Sequence, residues 1–201
     1  MSLTPIRLRF LFRCPIDGMS VLAIPHSLSV AAGSAPGAWM SGMTDHEEVP
    51  RVARASREIA AGAKRIFELI ADPALQPPWD GNGNLAEAAV GQRIRNVGEV
   101  FTTTLTGDGA VRENHVVEFD EGRRIAWRPA EPGKQPPRHL WRWELEPIDV
   151  SRTGVTHIYD WSQLTDEKRF ARARATTDDK LQASLDRLAA VAETNDPPAL
   201  A

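Results

Sequence analysis

The sequence predicts an α+β fold: a curved antiparallel sheet of about seven strands wrapped round a long C-terminal helix, with two short helices after strand 1. Three observations predict it. Segments alternating apolar and polar residues with period two follow one another, separated by Gly-, Asp- and Pro-rich turns. Near the end, Leu181, Leu185, Leu188 and Ala192 recur at i, i+4, i+7 and i+11, which is one stripe of a helix. Strands joined by short turns make a meander, and an amphipathic helix needs a face to lie on; the concave face of that sheet is the natural one.

The elements follow in order. In residues 51–59, Ala53, Ala55 and Ile59 share one face with Arg57 as the exception, while Arg54, Ser56 and Glu58 share the other. This is a half-buried strand. Ile66, Phe67 and Ile70 then stand at helical spacing, and Pro73 stops that helix. Residues 77–83 (Pro-Pro-Trp-Asp-Gly-Asn-Gly) are turn material, and Trp79-Asp80-Gly81-Asn82 within them either covers a pocket mouth or is a plain capping loop. Strands are expected at 99–106, 112–119, 123–129, 138–146 and 155–162. Asp120-Glu121-Gly122 has the form of a three-residue hairpin loop whose glycine takes positive φ. Thr176, with Asp179 three residues on, has capping-box spacing for the final helix.

A chain of 201 residues can bury one ordinary core, which the pattern places at 49–195. Residues 1–48 read as a disordered extension or as the product of an upstream start, Met43 being the alternative initiator, and 196–201 as a flexible tail. Val21-Leu22-Ala23-Ile24 is cut off by Pro25 and His26, too short for a secretory signal. The expected location is therefore cytoplasmic. A formal charge of -3 gives no footprint for nucleic acid, and no apolar run has bilayer length. Cys14 alone cannot form an internal disulfide. The partners expected are a small apolar ligand and a second copy of the chain in a homodimer, with neither nucleic acid nor membrane insertion.

Strand parity carries the site. His139, Trp141, Trp143 and Leu145 share one face of 138–146, and Val155, His157, Tyr159 and Trp161 share one face of 155–162. Burying each Trp is worth roughly 4–6 kcal/mol as an upper bound, so these faces point inward. A turn centred near Val150 sets Trp143 opposite His157 and Trp141 opposite Tyr159. The 120–122 loop would set Phe119 opposite Arg123, Val117 opposite Ile125 and His115 opposite Trp127. Glu113, His115, His139, His157 and the Tyr159 hydroxyl then fall on the apolar face, where they either bond to one another or orient a ligand. The candidate binding residues are Trp79, Phe101, His115, Val117, Trp127, Trp141, Trp143, His157, Tyr159 and Leu185. Weaker catalytic candidates are His157, Tyr159 and Glu113.

Other motifs are silent. His115, His139 and His157 match no metal-ligand spacing, so no metal is expected. Gly81, Gly83 and Gly91 form no phosphate-binding fingerprint, and no cofactor is expected. There is no G-x-S-x-G and no H-E-x-x-H. The run Lys168, Arg169, Arg172, Arg174 reads as a solvated helix face.

Residues 60–73 (AAGAKRIFELIADP) resemble the opening helix of the START-like (SRPBCC) superfamily in its polyketide cyclase/dehydrase branch. Residues 116–127 (VVEFDEGRRIAW) are similar to its central strand pair, and Trp141-Arg142-Trp143-Glu144-Leu145-Glu146-Pro147 with residues 181–192 to its closing hairpin and helix. The resemblance implies a helix-grip fold with an internal cavity. It implies no shared catalytic motif, and fold alone assigns no chemistry. Three readings follow. The first is a binding module for a lipid, polyketide or related apolar metabolite. The second is a cyclase or dehydratase moving protons through His157, Tyr159 or Glu113. The third is a protein–protein interaction domain with a filled core.

Overall fold

The computed structural model describes residues 50–194, so the expectations for residues 1–48, Cys14 and the 196–201 tail lie outside the described residues. The fold is a helix grip. Seven strands, β1 (Val52–Ile59), β2 (Leu85–Glu87), β3 (Val100–Leu105), β4 (Val111–Asp120), β5 (Arg124–Ala130), β6 (Leu140–Pro147) and β7 (Thr153–Asp160), form one antiparallel sheet in the order β1-β7-β6-β5-β4-β3-β2. Helix α1 (Ala63–Ala71) and two 3₁₀ turns (Pro73–Leu75 and Pro77–Trp79) follow β1. A short helix α2 (Phe170–Arg174) precedes the long α3 (Asp178–Glu193). The three-residue strand β2 lies at the sheet edge, in a stretch where the sequence pattern predicts no separate element.

Helix α3 buries Leu181, Leu185, Leu188 and Ala192 as its spacing predicts, and adds Ser184 and Ala189. Its N-cap is Thr177, not Thr176, and neither supplies a side-chain cap; instead the Asp178 carboxylate accepts the Arg54 backbone N–H of β1 at 2.8 Å. Arg57, the charged exception on the inner face of β1, donates to Asp186 of α3, so its charge is met. Two apolar clusters result. The larger gathers α1, Leu185, Leu188 and the rings of Trp79, Phe101, Trp127 and Trp143. The smaller gathers Ala53, Tyr159, Trp161, Leu164, Ala173 and Leu181.

The β6–β7 register is as expected, with Trp143 opposite His157 and Trp141 opposite Tyr159. The β4–β5 register is not. The turn residues are Glu121, Gly122 and Arg123, closed by the Arg123 N–H donating to the Asp120 carbonyl at 2.9 Å, with Gly122 at φ 74°. Phe119 thus faces Ile125, and a bulge at Val117 then sets Val116, not His115, opposite Trp127. The bulge inverts the parity of the rest of β4. Asn114 and Val116 are buried, and Glu113 and His115 take the outer face, where they approach each other at 4.0 Å. The physical gain is plain: a Glu carboxylate on the apolar face would be desolvated without a partner, whereas Asn114 is met by the Thr103 hydroxyl at 3.2 Å.

Leu188 is fully buried in the larger cluster. Leu188→Ala should therefore lower unfolding free energy by about 2–5 kcal/mol, read as a drop in urea midpoint at unchanged slope.

Candidate functional site

Where the two clusters meet, the inner face of the sheet and the α2 region enclose a cavity of about 160 Å³. That is the scale of an apolar cavity that admits benzene. Trp79, Phe101, Trp127, Trp141, Trp143 and Tyr159 form most of its aromatic wall. His139 and His157 also line it. The rings are locked by one another. Trp143 stacks on His157 at 3.6 Å between centroids and 12° between planes, and Trp79 meets Trp143 edge-on at 5.4 Å. Trp141 leans on Tyr159 at 4.4 Å, and Phe101 packs edge-on to Trp127.

Among the sequence-predicted residues, Leu185 is buried in the core without lining this cavity, and neither do His115, Val117 or Glu113. The last three are displaced by the bulge, Val117 being the extra unpaired residue itself. Sequence reasoning missed Asn114 and Thr103, which replace them, and also Gln76, Arg112, Arg169, Arg172 and Thr176. The signal for the β4 residues was weak, because the adjacent Val116 and Val117 hide a parity change. For the α2 region it was present: Arg169, Arg172, Ala173 and Thr176 recur at helical spacing, and the buried Ala173 marks that stripe as inward-facing.

The loop carrying Trp79 is tied down rather than laid loosely over the mouth. The Asp80 carboxylate accepts from the backbone N–H groups of Asn82, Asn84 and Leu85, and the Asp80 carbonyl accepts from Arg187 of α3 at 2.6 Å. Gly81 donates its N–H to the Ser184 hydroxyl at 2.9 Å, and a Cβ at Gly81 would sit 2.1 Å from the Ser184 backbone nitrogen. Only glycine allows this approach. Gly81→Ala should lower stability by about 1–3 kcal/mol and loosen Trp79, seen as a red-shifted Trp emission before global unfolding.

The two imidazoles and the phenol that line the cavity are held in their neutral forms. Burial holds the His157 pKa well below its ordinary value. Burial, aided by the charges of Arg169, Arg172 and Arg112, takes His139 down to about 4. Burial pushes the Tyr159 phenol up to about 12 against the pull of Arg172 and Arg169. Near pH 7 both imidazoles are neutral and the phenol keeps its proton. Among the described residues three buried ring nitrogens have no hydrogen-bond partner: Trp79 Nε1 and His157 Nδ1, which belong to residues lining the cavity, and His115 Nε2, which does not. Among the described residues no three His, Cys, Asp or Glu side chains come together as a metal site, and no helix is long and apolar enough to cross a membrane.

Because these imidazoles resist protonation only when folded, the unfolded chain binds more protons below pH 6.5. Stability is therefore highest above that value and falls with pH below it, down to about 4 for His139 and further for His157. Urea titrations between about pH 6.5 and pH 4.5 should show stability falling by up to about 1.4 kcal/mol per pH unit per imidazole, and His139→Gln should flatten the slope.

The comparisons agree with this architecture. Solved structures share the fold: a Chromobacterium violaceum protein at 18% identity and TM-score 0.53, covering 73% of this chain and 99% of its own, and a Mesorhizobium loti protein at 15% and 0.54, covering 73% and 100%. A curated relative, an uncharacterized protein of Mycobacterium tuberculosis, is 29% identical over 124 residues, covering 55% of this chain and 47% of the relative. The chain thus spans about half the length of the curated relatives it matches. The profile described as polyketide cyclase/dehydrase and lipid transport matches residues 50–193, the whole of the sheet and its helices. The chain belongs to the polyketide cyclase/dehydrase and lipid transport family, within the START-like superfamily.

Proposed function

We propose that this domain binds a small, largely aromatic or apolar molecule, of the lipid, polyketide or related metabolite class, in the cavity between the sheet and the α2 region. The observation that carries the reading is an apolar cavity walled by four tryptophans, with Trp79 Nε1 and His157 Nδ1 buried and unpartnered. A filled core leaves neither space nor orphaned polar atoms. A hydroxyl or carbonyl on a bound molecule is the kind of group that satisfies such nitrogens, while the rings supply burial.

The titration state favours binding over acid–base catalysis. A general base works best with a pKa near the operating pH, and His157 and His139 both lie well below it. Tyr159, at about 12, is a hydrogen-bond donor and not a ready base. Glu113, the remaining proton-transfer candidate, stands on the outer face with its carboxylate accepting the Gly133 N–H at 3.0 Å.

Titration with the neutral fluorophore N-phenylnaphthylamine should give saturable binding with quenching of Trp emission. Trp141→Ala, at a half-buried wall position, should weaken it by about tenfold through lost ring contact while the fold survives. Absence of saturable binding, by this probe and by a panel of aromatic and acyl compounds, would overturn the reading in favour of an interaction domain.

A further inference from the structure

The cavity lining is electrostatically one-sided. It includes three guanidinium groups, Arg112, Arg169 and Arg172, and no carboxylate. The chain as a whole has the opposite balance, with 27 acidic residues against 24 basic. Elsewhere on the domain many arginines are matched: Arg57 by Asp186, Arg93 by Glu68 and Glu121, Arg142 by Glu118, and Arg152 by Glu58 and Asp149. At the cavity only Arg169 is matched, by Glu131 and Asp166, which pin it in place. Arg112 donates to the carbonyl of its neighbour Val111, and Arg172 has no acidic partner among the described residues. These two come from different walls, Arg112 from the start of β4 and Arg172 from α2.

From this lining we infer that the molecule bound is an amphipathic anion: an aromatic or apolar body among the tryptophans, and an acid group at the mouth held by Arg112 and Arg172. The inference rests on the binding reading above and narrows its ligand class. Arg172 is exposed, so the cationic side is the side open to water, and an anion there keeps part of its hydration. The tryptophan wall could not take that charge. A planar guanidinium suits a carboxylate, which it can grip through two parallel hydrogen bonds. Unneutralised cations at the rim of a low-dielectric cleft also focus the field on an approaching anion. His139 lies within the field of all three arginines, and its depressed pKa reflects their summed positive charge on top of its burial.

The test uses a matched pair of competitors, naphthoate and naphthamide, displacing N-phenylnaphthylamine from the full chain. The two share one ring system and differ in charge. Naphthoate should displace the reporter at about tenfold lower concentration than naphthamide. That advantage should shrink as salt is raised, fall in Arg172→Gln and vanish in the Arg112→Gln/Arg172→Gln double variant. Arg172→Lys should keep part of it, and circular dichroism should show each variant folded, since neither arginine belongs to the core. Equal potency of acid and amide on the intact protein overturns the inference and leaves cavity binding standing. An acid preference that survives the double variant overturns it too. If the reporter itself does not bind, it is the underlying binding reading that falls.

Discussion

The register between β6 and β7 is the constraint on which the rest of the structure depends. Side chains alternate along a strand, so one register turns four rings inward together and a slip of one residue would turn them all to water. The pairing of Trp143 with His157 and Trp141 with Tyr159 therefore decides more than a hairpin. Trp141 and Trp143 also stand opposite Trp127 and Ile125 of β5, so the same alternation passes across three strands. The outer face reinforces it: Arg142 pairs with Glu118 of β4 and lies near Glu144, which approaches Arg54 of β1. These half-exposed ion pairs contribute little each, but a shifted register would break them together.

Rings held in this way form a rigid wall. Each aromatic contact fixes the next, from Trp79 through Trp143 to His157. Interlocked side chains cannot easily collapse into a neighbouring space, which is how a domain of this size keeps an internal cavity open. Gly81 contributes from the other side by bringing the loop backbone onto α3 and holding Trp79 where the wall needs it. The same cavity is lined by Arg112 and Arg169, both half-buried, and by Arg172, which is exposed, so aromatic and cationic walls meet in one space.

Much of the fold is legible in the sequence, because burial of apolar surface imposes a period of two on strands and of 3.6 on helices. The aromatic faces of β6 and β7, the Leu stripe of α3 and the helix ended by Pro73 all follow from burial and backbone chemistry. The β4 parity does not follow. A bulge costs one unpaired residue and leaves no mark when Val116 and Val117 are both apolar, so simple alternation puts His115, Glu113 and Val117 in a cavity they do not line. The β4–β5 loop falls one residue later than its pattern predicts, because Gly122 satisfies a positive-φ position in either frame of the turn. Arg169 and Arg172 look like a solvated face because charge alone does not say what a short helix covers. The buried Ala173, next to Arg172, carries that information.

The sheet order has a consequence for the newborn chain. Among the described residues the first strand, β1, has one strand neighbour, and that neighbour is the last strand, β7; Ser56 and Thr156, which share a hydrogen bond, are 100 residues apart. Helix α3, which also packs on β1, emerges later still. On a ribosome, β1 therefore leaves the tunnel with its pairing edge bare and stays so until nearly the whole domain has been made. The strand carries its own protection through that wait. Arg54, Arg57 and Glu58 interrupt its apolar residues, and a charged, alternating edge is a poor template for association with other nascent chains.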